Sequence, residues 1–115
     1  MNKKNRIPYT FTVSCMELIG DPAYKLSERV ILNLIIHHLN VNDECVVDND
    51  YLARRASCKI QSLKNMLTTL CKKGLIQREM KDGVRNIFIP ETSELFKYVS
   101  GERKEAFLKY IEDHT

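Results

Sequence analysis

A chain of 115 residues that is 43% hydrophobic and 29% charged has the size and balance of one folded domain, which excludes a disordered or low-complexity protein. The basic start MNKKNRIPYTFTV is not followed by an apolar signal core, and no run approaches the roughly 18 apolar residues of a membrane span, so a cytoplasmic protein without a membrane partner is expected. The net charge of +3 conceals an asymmetry: residues 51–90 hold nine basic and two acidic side chains, whereas both flanking stretches are net acidic. Between Tyr51 and Arg78 there are seven cations and no Asp or Glu, a pattern that points to an anionic partner rather than to a merely solvated face.

In chain order, Ser14-Cys15-Met16-Glu17 has the form of a capping box for a short helix that Gly20 can end. Ser27 is expected to cap a stronger helix from Glu28 to about Asn40. In it Val30, Ile31, Leu32, Leu34, Ile35, Ile36 and Leu39 are apolar, and Arg29, Asn33 and His37 form the only polar stripe. A helix apolar around most of its circumference needs cover on more than one side, from the terminal segments or from a second subunit. Cys45-Val46-Val47 reads as a short strand, and Asp48 or Asn49 as the cap of a second helix ending near Arg55, with Tyr51, Leu52 and Ala56 inward. After a turn at Ser57-Cys58, a third helix from about Lys59 to Lys73 carries Leu63, Met66, Leu67 and Leu70 at i, i+3, i+4 and i+7, and Gly74 closes it. Leu75–Met80 and Val84–Ile89 are β-prone runs joined through Asp82-Gly83, whose positive φ angles suit a tight type I′ hairpin. Beyond Pro90, Leu95, Phe96 and Val99, then Phe107, Leu108 and Ile111, suggest one or two helices broken at Ser100-Gly101.

Chemistry-bearing motifs are scarce. Cys15, Cys45, Cys58 and Cys71 form no CxxC pair and are expected to be reduced, structural thiols. His37 and His38 are adjacent on a helix, so they diverge by about 100°. With no other ligand at a suitable spacing, they are expected to be ordinary surface residues and no metal is expected. Neither a phosphate-cradling glycine loop nor HExxH nor G-x-S-x-G is present, so an enzyme, a cofactor or a small-molecule ligand has no support in the sequence.

The order helix, short strand, helix, turn, helix, hairpin, and the stretch YLARRASCKIQSLKNMLTTLCKKGLI over Tyr51–Ile76, resemble bacterial winged helix-turn-helix DNA-binding domains. The segment from Ile7 through Leu26-Ser27 further resembles the N-terminal domains of plasmid and phage replication initiators. The resemblance departs at Ser57, where the family usually has Gly, and at Lys59, where it has a Ser or Thr cap; Ser57 is the substitute cap to consider. It implies a mainly α fold with a small antiparallel β wing, residues 1–90 forming the winged helix domain and residues 91–115 a helical extension packed on it or on a second subunit.

That resemblance implies a double-stranded DNA-binding protein, either a transcriptional regulator or a replication initiator or accessory factor of a mobile element. The rival is a protein-interaction adaptor built on the same fold. Gln61, Ser62, Lys64 and Asn65 occupy the half of the third helix that would reach base edges, the two amides suiting adenine and Lys64 guanine or a phosphate. Arg54, Arg55, Lys59, Thr68, Lys72 and Lys73 are the expected phosphate contacts, with Arg78, Lys81 and Arg85 on the wing. Arg85 is the candidate for minor-groove entry. Exposed aromatics for stacking single strands are missing, since Tyr51 and Phe88 read as core, so duplex is preferred. A homodimer on a two-fold site would match the apolar first long helix.

Overall fold

The computed structural model describes residues 16–99, together with Lys109 and residues 112–114. These comprise four α-helices, a two-stranded antiparallel sheet and a 3-10 helix: α1 (Met16–Ile19), α2 (Leu26–Asn42), α3 (Asn49–Arg55), α4 (Ile60–Lys72), β1 (Gln77–Lys81), β2 (Val84–Phe88) and the 3-10 helix Glu94–Tyr98. The fold is mainly helical with a small sheet, as expected. Ser14 and Cys15 of the first capping box, and Phe107, Leu108 and Ile111, lie outside the described residues.

The long helix begins earlier than Ser27. A carboxylate three residues into a helix can reach back to the cap N–H, and Glu28 does so, accepting from the Lys25 backbone at 2.9 Å. Lys25 is therefore the N-cap and Ser27 lies within the first turn. At the other end α2 runs to Asn42, where Asp43 turns left-handed (φ 63°) and donates its N–H to the Leu39 carbonyl at 2.9 Å. Ile31, Leu32, Leu34, Ile35, Ile36 and Leu39 are buried, and both α1 and β2 pack against α2. The polar stripe is enclosed as well. Arg29 donates to the Tyr24 and Ile19 carbonyls, both at 2.8 Å, and so ties the α1–α2 connection to the helix. His37 is buried and His38 half-buried, which corrects the expectation that they are ordinary surface residues.

The expected strand at Cys45-Val46-Val47 does not form. Cys45 accepts one sheet-like bond, from the Ile87 N–H at 2.9 Å, but its own N–H goes to the Asn86 side-chain oxygen at 2.8 Å. The Val47 carbonyl is taken by the Arg85 guanidinium at 2.8 Å. Side chains of β2 thus satisfy the backbone groups that a ladder would have used.

Two helices end in the same way. After α3, the Cys58 N–H reaches the Ala53 carbonyl at 3.0 Å and the Ser57 N–H the Arg54 carbonyl at 3.2 Å; after α4, Leu75 reaches Leu70 at 3.1 Å and Gly74 reaches Cys71 at 3.0 Å. Both are Schellman motifs, which need a left-handed residue just past the helix. Ser57 (φ 53°) and Gly74 (φ 75°) occupy those places. Ser57 is therefore a helix terminator and not the cap of α4, which is Lys59.

Leu75 and Ile76, expected in the first strand, are buried as the chain leaves α4, so β1 starts at Gln77. Its register pairs Gln77 with Phe88 and Lys81 with Val84 across the turn Asp82-Gly83, whose φ angles of 54° and 78° are those of a type I′ turn. Residues 91–99 pack on the rest of the domain. Leu95 and Tyr98 join the core cluster, the Ser93 hydroxyl donates to the Leu75 carbonyl, and Asn40 of α2 donates to the Tyr98 carbonyl. Part of the apolar surface of α2 is thus covered within the chain, while Leu26 at its start stays exposed.

Candidate nucleic-acid interface

The periodicity of α4 divides it into two faces. Leu63, Leu67 and Leu70 are buried with Met66 half-buried, while Gln61, Ser62, Lys64, Asn65, Thr68 and Lys72 are all exposed. The structure therefore brings the four expected base-reading residues together on one solvent-facing surface. Gln61 donates to the Asn65 side-chain oxygen at 3.1 Å. That bond orients the two amides and leaves both side-chain oxygens able to accept, with the second Gln61 N–H and both Asn65 N–H groups able to donate. Lys59 provides no side-chain cap, so the first-turn N–H groups of α4, where the helix dipole is positive, have no side-chain acceptor from it.

The cations separate into two groups. Among the described residues, no ion pair engages Lys59, Lys64, Lys72, Arg78 or Lys81, and all five are exposed. Arg54 meets Asp50 at 3.1 Å, but both side chains are mostly in water, where such a pair is weak and readily exchanged. Lys73 stands 3.7 Å from the buried Glu28 carboxylate, linking the end of α4 to the start of α2. Arg55 lies over the Tyr51 ring, 5.3 Å from its centre, at the rim of a cleft lined by Leu26, Val30 and Leu34. Arg85 bonds to the Asn49 side chain and the Val47 carbonyl. It anchors the hairpin to the start of α3 instead of projecting from it.

Behind α3, the Tyr51 hydroxyl and His38 Nε2 are hydrogen-bonded at 3.2 Å. Burial lowers the His37 pKa to about 4, reinforced by His38 and the Arg55 charge, and burial with Arg55 lowers that of His38. Both imidazoles are neutral near pH 7. Cys45 is buried, and desolvation pushes its thiol up to about 11; Cys58 and Cys71 are half-buried and unbridged. Among the described residues, no group of three or more His, Cys, Asp or Glu side chains could hold a metal ion, and no helix is long and apolar enough to cross a membrane.

Sequence reasoning missed four residues of the hairpin and its anchorage. Asn86, which bonds the Cys45 N–H, had a signal only in the oddity of an Asn inside a β-prone run, and Asn49, expected only as a helix cap, accepts from Arg85 instead. The exposed Met80 and Val84 at the hairpin tip looked like ordinary strand residues. Compared with known proteins, the chain matches no family model, no curated protein and no solved structure.

Proposed function

We propose that this chain is a winged helix-turn-helix protein that binds double-stranded DNA, with α3 and α4 as the helix pair and β1–β2 as the wing. The observation that carries the reading is the solvent face of α4. Its amides are pre-oriented, it bears no acid, and cations without ion pairs flank it at Lys59, Lys64 and Lys72. A helix of this width enters the major groove, about 12 Å across, and Asn or Gln amides match the donor and acceptor edge of adenine. Arg54, Lys59, Thr68 and Lys72 are then phosphate contacts, joined by Arg78 and Lys81 of the hairpin. In the cell the protein acts in the cytoplasm as a regulator of transcription or as an initiator or accessory factor of replication.

The test is a titration of selected and random duplexes over a range of salt concentrations. Lys72→Ala should weaken binding to every duplex and flatten its salt dependence by about one counterion. Gln61→Ala and Asn65→Ala should each cost about 1–3 kcal/mol on the selected site alone. Amide variants that bind like the parent would remove α4 as the reader. Duplex affinity without salt dependence would overturn DNA binding and favour the protein-interaction adaptor.

A further inference from the structure

A cleft of about 290 Å³ opens where α1, the first half of α2 and the end of α3 come together. Ile19, Leu26, Val30 and Leu34 give it aliphatic walls, and Leu26 is 66% exposed. Its charged lining residues are Arg29 and Arg55, and no Asp or Glu among the described residues borders it. The fold holds both cations in place. Arg29, half-buried, gives its Nε and Nη1 groups to the Tyr24 and Ile19 carbonyls, both at 2.8 Å, which leaves its Nη2 group without a bond and its charge without an ion pair among the described residues. Arg55 lies over the Tyr51 ring, 5.3 Å from its centre, a contact that positions the guanidinium without neutralising it. Asn33 completes the lining, its amide donating to the Arg29 carbonyl at 2.9 Å. Three helices supply these walls, so no single stretch of the sequence announces the cleft.

We propose that this cleft binds a small monocarboxylic acid with an aromatic or alkyl body. Ligand pockets span about 300–1,000 Å³ and combine apolar walls with a few placed polar groups; this cleft has that make-up at the lower end of the range. A half-buried cation among aliphatic side chains is costly unless it is paired, and a guanidinium matches a carboxylate through parallel N–H donors. The acid's body then covers the aliphatic walls and takes the exposed Leu26 surface out of water. An amine would meet two like charges, and a polyphosphate would shed its hydration against an aliphatic wall with nothing to replace it. The chain's own first residues carry Ile7, Tyr9, Phe11 and Val13 and lead into α1, but with Lys3, Lys4 and Arg6 they bring cations to a cationic cleft. Charge therefore selects the acid.

The experiment titrates isotopically labelled full-length protein with 4-phenylbutyrate, 4-phenylbutanol and 4-phenylbutylamine and follows the amide signals by NMR. No DNA is present, so the outcome is separate from that of the DNA-binding reading. The acid should bind with a dissociation constant on the order of 1 mM, as suits about a dozen non-hydrogen atoms, and should move the signals of Leu26, Val30 and Leu34. The alcohol should bind about tenfold more weakly, and the amine should not bind detectably. Arg55→Gln should weaken the acid by about three- to tenfold and leave the alcohol as before. Leu26→Glu, at an exposed position, should weaken the acid more than the alcohol by adding an anion at the cleft, with circular dichroism as the check that both variants stay folded. Acid and alcohol binding alike, or acid shifts that lie outside the cleft or are missing, overturn the proposal. If Tyr9→Ser with Phe11→Ser raises acid and alcohol binding equally, the cleft belongs to the chain's own first residues; if Leu26→Glu abolishes a concentration-dependent self-association, it belongs to a second copy. Either result overturns the proposal as well.

Discussion

Ser57 and Gly74 occupy equivalent places in two Schellman motifs, and this makes a paired experiment with opposite signs. In the left-handed region a Cβ crowds the backbone at a cost of roughly 1–2 kcal/mol, which glycine avoids. Glycine in turn gives the unfolded chain more freedom, worth about 0.4–1 kcal/mol against alanine. A Cβ placed on Gly74 meets nothing within 4 Å, so no steric collision adds to the backbone term. Gly74→Ala should therefore destabilise by about 1 kcal/mol, and Ser57→Gly, whose exposed side chain donates and accepts no short-range bond seen among the described residues, should stabilise by about 0.5–1 kcal/mol. In a domain of this size each kcal/mol moves the melting temperature by about 4–8 °C. Urea titration followed by circular dichroism measures both variants, with equal m-values as the control that only stability has changed. If Ser57→Gly destabilises, or Gly74→Ala is neutral, left-handed strain does not govern how α3 and α4 are joined.

Three further outcomes are expected. Arg85→Ala should cost about 1–3 kcal/mol, because it strands the Val47 carbonyl and releases Asn49, and Arg85→Lys should not rescue it, since one ammonium cannot reproduce the fork; denaturant titration measures both. Because His37 is neutral when folded down to about pH 4 but titrates near 6.5 when unfolded, its contribution is complete above pH 6.5 and is lost as the pH falls from there toward 4, by up to about 3 kcal/mol; His37→Gln should flatten stability over that window. In the native protein near pH 8, Cys45 should resist alkylation far longer than Cys58 and Cys71, as burial and a raised pKa both oppose its thiolate, and mass spectrometry of labelled peptides reads the order. Equal labelling of the three would mean that the core around Cys45 opens readily.

The parts of this fold that were legible in the sequence are those fixed by neighbours in the chain. The leucine spacing of α4, Gly74 at its end and Asp82-Gly83 in the hairpin each specify local geometry without help from afar. Two of the failures share one cause, a side chain that captures a distant or competing backbone group. Ser27 lost the cap of α2 because Glu28 reaches back to Lys25, and the strand at Cys45 gave way to side-chain bonds from Asn86 and Arg85, which are 41 and 38 residues away along the chain from Cys45 and Val47. The same limit applies to the candidate site. Composition shows where cations concentrate, but not that Arg85 is consumed by a carbonyl while Lys64 and Lys72 stay in water. An almost fully apolar helix such as α2 gives its few polar residues no direction, so the burial of His37 could not be read from periodicity.

The two-faced character of α4 also bears on how such a protein changes over generations. Leu63, Leu67 and Leu70 anchor the helix from one side, while Gln61, Ser62, Lys64 and Asn65 touch nothing in the core. Exposed positions of this kind usually tolerate exchange within about 0.5 kcal/mol. Mutation can therefore rewrite those four residues, one at a time, without passing through unfolded intermediates, and this surface can diverge among descendants that keep a common scaffold.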